Sequence, residues 1–87
     1  MVYILYRGRS EHERQATQLQ QRLQQRRIFP EMLDVDSREG AAKSQTYAIM
    51  QYPAVLAVRD TDGQVIQTWS GQVPTVSDVE FFARSNI

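Results

Sequence analysis

The 87-residue chain contains no cysteine. That excludes disulfides, thiolate metal sites, iron–sulfur ligation and every reaction that runs through a thiol. A single histidine excludes a multi-histidine metal centre as well. Charge of one sign is lacking: ten Lys and Arg balance ten Asp and Glu, so the total gives no pull toward nucleic acid or a membrane surface. Apolar runs such as Ala54 to Val58 are far short of the roughly 20 residues that a spanning helix needs. Met1 to Arg7 lack the basic start and small-residue cleavage site of a signal peptide, so the expected compartment is the cytoplasm.

What is present reads as one domain over residues 1–87, of ordinary globular composition. The balanced charge is unevenly placed. Residues 1–29 carry six Arg against Glu11 and Glu13, a local +4, and the remainder carries four basic against eight acidic side chains, a local −4. Such a dipolar chain suits steering of an acidic partner toward the first helix, although a solvated helix face explains the same pattern.

Val2 to Tyr6 reads as a buried strand stopped by Arg7-Gly8-Arg9. Residues 11–27 lack Gly and Pro, and Ala16, Leu19 and Leu23 make one apolar stripe, which predicts an amphipathic helix. Six of the eleven residues from Gln15 to Gln25 are Gln, so its outer face is polar and weakly charged. Ile28-Phe29-Pro30 closes it. Glu31 to Val35 predicts a second strand. A second helix is expected from Asp36 or Ser37 to about Ile49, with Ala41, Ala42, Ala48 and Ile49 packing inward. After Tyr52-Pro53 the run Ala54 to Val58 predicts a central strand. Asp60-Thr61-Asp62-Gly63 is a turn, and Gln64 to Ser70 alternates as the second arm of a hairpin. Pro74-Thr75 leads into a last helix, with Ser77 and Glu80 matching a capping box. The order is β-α-β-α-β-β-α.

That order, together with Leu33-Asp34-Val35-Asp36, Tyr47-Ala48-Ile49-Met50-Gln51-Tyr52-Pro53-Ala54 and the apolar strand that follows, resembles the thioredoxin-fold superfamily in its compact glutaredoxin-like form. The resemblance covers nearly the whole chain and implies an α/β fold, a four-stranded mixed sheet flanked by three helices. It also places Pro53 at the family's cis-proline. The chain departs from the family where the chemistry would sit: Ser10-Glu11-His12-Glu13 stands where Cys-x-x-Cys is expected. The buried acid of the family's first strand is missing from Val2 to Leu5. Tyr52 replaces an aliphatic residue before the proline.

Ser10 and Glu13 match a capping box, in which the Ser10 hydroxyl accepts from the Glu13 N–H and the Glu13 carboxylate accepts from the Ser10 N–H. Ser10, His12 and Glu13 do not make a nucleophilic triad, since residues two and three apart on one helical turn point in different directions. His12 is expected to be exposed. Asp34, Asp36 and Glu39 cover only the first positions of a calcium loop, so no metal is implied. Trp69 and the tyrosines fall mostly on core positions, which argues against a nucleic-acid surface.

By the resemblance, a substrate groove would be lined by Arg9, Ser10, Glu11, His12, Tyr52, Pro53 and Gly71. The reading is a redox-inactive binding module for a protein or peptide, with no catalytic residue and no cofactor. Two alternatives stand beside it. One is a thiol-independent enzyme or binder of a glutathione-like ligand; the other is a self-associating assembly subunit that uses the edge strand 64–70.

Overall fold

A computed structural model describes residues 1–84. The chain runs β1 (Val2–Tyr6), α1 (Glu11–Gln25), β2 (Glu31–Asp34), α2 (Arg38–Thr46), β3 (Ala54–Val58), β4 (Val65–Ser70) and α3 (Val76–Arg84). The four strands form one mixed sheet in the order β2-β1-β3-β4. β1 is parallel to β2 and antiparallel to β3, and β3 is antiparallel to β4. The expected α/β architecture of four strands and three helices is therefore what the chain forms.

Alternation along the strands divides the core in two. On one face Val2, Ile4 and Val55 pack with Ala16, Leu19 and Leu23 of α1 and Val79 of α3. On the other, Leu5, Leu33, Val35, Ala54, Leu56 and Val58 pack with Ile49, under Tyr3, Tyr47 and Tyr52. β3 is buried along its whole length, as its run of five apolar residues requires of a central strand.

Three helix boundaries differ from the sequence reading. α1 stops at Gln25, and α2 stops at Thr46 rather than near Ile49. Both end in the same device. The Ile28 N–H donates to Leu23 O (3.0 Å) and the Arg27 N–H to Gln24 O (3.0 Å); the Ile49 N–H donates to Ser44 O (2.9 Å) and the Ala48 N–H to Gln45 O (3.2 Å). These are Schellman closures, with a left-handed residue at Arg27 (φ 62°) and Ala48 (φ 56°). Neither position is glycine, so each carries the cost of a Cβ in that conformation. Arg27→Gly and Ala48→Gly are each expected to stabilise the protein by about 0.5–1 kcal/mol, once the extra freedom given to the unfolded chain is deducted. A urea midpoint that falls with either change would contradict this.

The inward residue of α2 is Gly40, whereas Ala41, Ala42 and Ala48 are exposed. α2 lies so close to the end of β2 that only a residue without a side chain fits there. The third boundary is the start of α3, capped by Thr75, whose Oγ1 accepts from the Asp78 N–H (3.2 Å). Glu80, expected in a Ser77 capping box, instead pairs with Arg26 (2.9 Å) and Arg84 (3.1 Å).

β4 follows the expected alternation only from Gln67 to Ser70. A bulge intervenes, so that Ala57 faces Gln67 while Val58 faces Val65. This rotates Val65 out of the pattern and leaves it exposed. Among the described residues no helix is long and apolar enough to cross a membrane.

Candidate functional site

The seven residues singled out above lie in three places: the β1–α1 turn with the first turn of α1 (Arg9, Ser10, Glu11, His12), the loop before β3 (Tyr52, Pro53), and the turn after β4 (Gly71). The β1–α1 turn is organised by Asp34 at the end of β2. Its Oδ1 accepts from the Gly8 N–H (3.3 Å) and the Asp36 N–H (2.9 Å). Gly8 packs so tightly here that a Cβ would come within 2.4 Å of Asp34 Oδ2. Asp34 reads from sequence only as the acid that ends a strand; its hold on a turn 26 residues away appears with the parallel β1–β2 pairing.

Arg9 follows in the left-handed region (φ 60°) and Ser10 caps α1 with extended backbone. The cap differs from the expected box. Ser10 Oγ accepts from the His12 N–H (3.2 Å) and donates to Arg7 O (2.5 Å), while the Glu13 N–H donates to Ser10 O (3.1 Å). The Glu13 carboxylate accepts from the Arg9 N–H (3.2 Å), not from that of Ser10. The left-handed turn at Arg9 accompanies this arrangement, in which the clasp spans one residue more than a capping box. The electropositive first turn of α1 is thus occupied by the chain's own oxygens.

Glu11 is exposed, as expected of a first-turn acid. His12 is half-buried rather than exposed, and its Nδ1 is shielded from solvent without a hydrogen-bond partner among the described residues. Tyr6, at the end of β1, has its phenol pushed above the ordinary 10.0, first by burial and then by the nearby Asp34 and Glu13 carboxylates. It therefore stays a neutral hydroxyl near neutral pH.

In the second segment the Tyr52–Pro53 bond is cis, as the resemblance implies. Pro53 is buried and Tyr52 half-buried. The Tyr52 hydroxyl is tied down by Ser44 Oγ and donates to Ile49 O (3.2 Å). The outer part of its ring has the Arg7 guanidinium 5.9 Å from the centroid, within cation–π range. Arg7 also reaches Asp36 at 3.3 Å. Among the described residues, none hydrogen-bonds the backbone N–H or C=O of Tyr52.

In the third segment Gly71 (φ 81°) donates its N–H to Pro53 O at 3.0 Å. A Cβ at Gly71 would approach Gln51 Oε1 to 2.8 Å, so glycine meets both a steric and a conformational need. Direct contacts therefore join Pro53 to Gly71 and Tyr52 to Arg7. Sequence reasoning missed Arg7, Ser44 and Gln51, whose roles come from cross-element contacts that carry no motif.

A cavity of about 550 Å³ adjoins this region, between α1 and the segment from Gly71 to Val76. Gln15, Gln18 and Arg22 form its α1 wall over Leu19. Of the seven expected groove residues, only Gly71 lines it. Among the described residues no cluster of His, Asp or Glu side chains is arranged to hold a metal ion.

No protein-family model and no curated protein matches this sequence. A solved structure described as that of a malarial protein is similar in shape, with a TM-score of 0.73 over 99% of this chain and 94% of that one, at 11% identity. That likeness concerns the fold alone.

Proposed function

We propose that this chain is a thioredoxin-like domain without thiol chemistry, and that it binds an extended segment of a protein or peptide beside Pro53, in the cytoplasm. The carrying observation is the free backbone of Tyr52. Among the described residues its N–H and C=O have no hydrogen-bond partner, and they lie next to a proline anchored by Gly71 and a ring flanked by Arg7. Backbone groups in proteins seek partners, and a segment laid alongside would satisfy both by strand addition. The thioredoxin resemblance assigns substrate peptides to the same place.

The first turn of α1 favours binding over catalysis. Ser10 Oγ is already engaged by the Arg7 carbonyl and the His12 N–H. Among the described residues no side chain that could act as a general base hydrogen-bonds it, which is what a nucleophilic serine would need.

The test is selection of random dodecapeptides on the immobilised protein, followed by binding of the enriched peptides to wild type and to Tyr52→Ala. Enriched peptides should perturb the backbone amide resonances of Tyr52 and Gly71 and lose about tenfold in affinity on Tyr52→Ala. That corresponds to roughly 1.4 kcal/mol. Peptides that bind both proteins equally and leave those amides unmoved would overturn the proposal.

A further inference from the structure

We propose that the cavity between α1 and residues 71–76 continues the Pro53 groove and receives an acidic side chain of the bound segment on Arg22. The inference rests on the peptide-binding reading above and specifies the chemistry of the segment.

Position comes first. Gln15, Gln18 and Arg22 stand at i, i+3 and i+7 on α1, so they form one stripe along the helix, with Leu19 as the apolar floor between them. The opposite wall starts at Gly71, the residue whose N–H holds Pro53 O. Gly71 is thus shared: it lines the cavity and is hydrogen-bonded to Pro53, so a peptide chain passing Gly71 would reach both. From Ser10, at the tip of α1, to Arg22 the helix rises about 18 Å, which an extended chain covers in five or six residues.

Charge comes second. Among the described residues Arg22 is the only charged one lining the cavity, and none of them places a carboxylate in either wall. Among the described residues Arg22 makes no ion pair; Arg9, Arg14, Arg27 and Arg38 make none either, but none of those four lines the cavity. A guanidinium presents paired donors suited to a carboxylate, and the amides of Gln15 and Gln18 add donors beside it. The walls hold no aromatic side chain on which a base would stack, so a single-stranded nucleic acid fits less well than an acidic peptide.

The experiment uses arrays of degenerate nonapeptides in which one position at a time is fixed as Glu or as Gln. These are probed with wild type, Arg22→Gln and Tyr52→Ala. Arg22 is exposed on a solvated helix face, so its replacement leaves the fold intact. Wild type should favour Glu over Gln about fivefold or more at one position. The preference should vanish in Arg22→Gln and shrink as salt is raised, while Tyr52→Ala should weaken the Glu and Gln peptides alike. Tyr52-dependent binding without a Glu preference, or a preference that survives Arg22→Gln, overturns this inference and leaves the peptide-binding reading standing. Absence of any Tyr52-dependent binding overturns both. Stronger Arg22-dependent binding of an oligouridylate than of any Glu peptide would reassign the cavity to nucleic acid and overturn the proposal as well.

Discussion

Gly40→Ala is expected to destabilise the protein by about 3 kcal/mol, and the unfolding midpoint to fall by on the order of 15 °C. On helix propensity alone the change should help, because Ala is favoured over Gly inside a helix by roughly 1 kcal/mol. Sterics reverse the sign. A Cβ at Gly40 would lie 1.9 Å from the Asp34 carbonyl oxygen and 2.5 Å from its carbon, both backbone atoms. Relief requires α2 to move off the end of β2. That carbonyl also accepts from the Ser37 N–H (2.9 Å) and Oγ (2.5 Å), and Ser37 Oγ in turn accepts from the Gly40 N–H (3.1 Å). The displacement therefore strips the cap of α2. It also disturbs Asp34, whose carboxylate holds the Gly8 N–H of the β1–α1 turn. Thermal unfolding followed by circular dichroism measures the loss, and an unchanged or raised midpoint would show that α2 and β2 are not packed this closely.

A comparable loss, about 3–4 kcal/mol, is expected from Leu23→Ala. Leu23 is fully buried in the cluster formed by β1, β3, α1 and α3, with Ile28 packed against the same cluster where the Schellman closure ends α1. The exchange removes apolar contacts and leaves a void bounded by sheet and helices that cannot collapse into it. For a domain of this size the total stability is roughly 4–13 kcal/mol, so the variant keeps only a fraction of its margin. Urea titration should show a lower midpoint at nearly unchanged slope. A loss below about 1 kcal/mol would mean that α1 packs on the sheet less closely than the burial of Leu23 indicates.

The sequence alone determined the layers. The five-residue apolar run of β3, the stripe Ala16–Leu19–Leu23 and the breaks at Pro30, Pro53 and Gly63 were enough to place every strand and helix in order. Burial of apolar faces is local in its signature, because a period of 2 or 3.6 residues is written in neighbouring letters. The cap at Ser10 was legible as a cap, whereas the grouping of Tyr52, Pro53 and Gly71 came from the family resemblance; a Gly71 N–H to Pro53 O bond joins two of them.

Tertiary structure decided the rest. Two helices end at non-glycine residues, where no glycine announces the stop, and the clasp of Glu13 falls on Arg9 because the turn before α1 is left-handed. Gly40 gives no sign in the sequence that it, rather than the alanines beside it, faces inward; the approach of α2 to the Asp34 carbonyl makes it so. Arg7 over Tyr52, Ser44 beneath it and Arg22 facing residues 71–76 each depend on segments far apart in the chain. Such pairings come from the crossing of packed elements, and no periodicity along one segment encodes what the other will place opposite it.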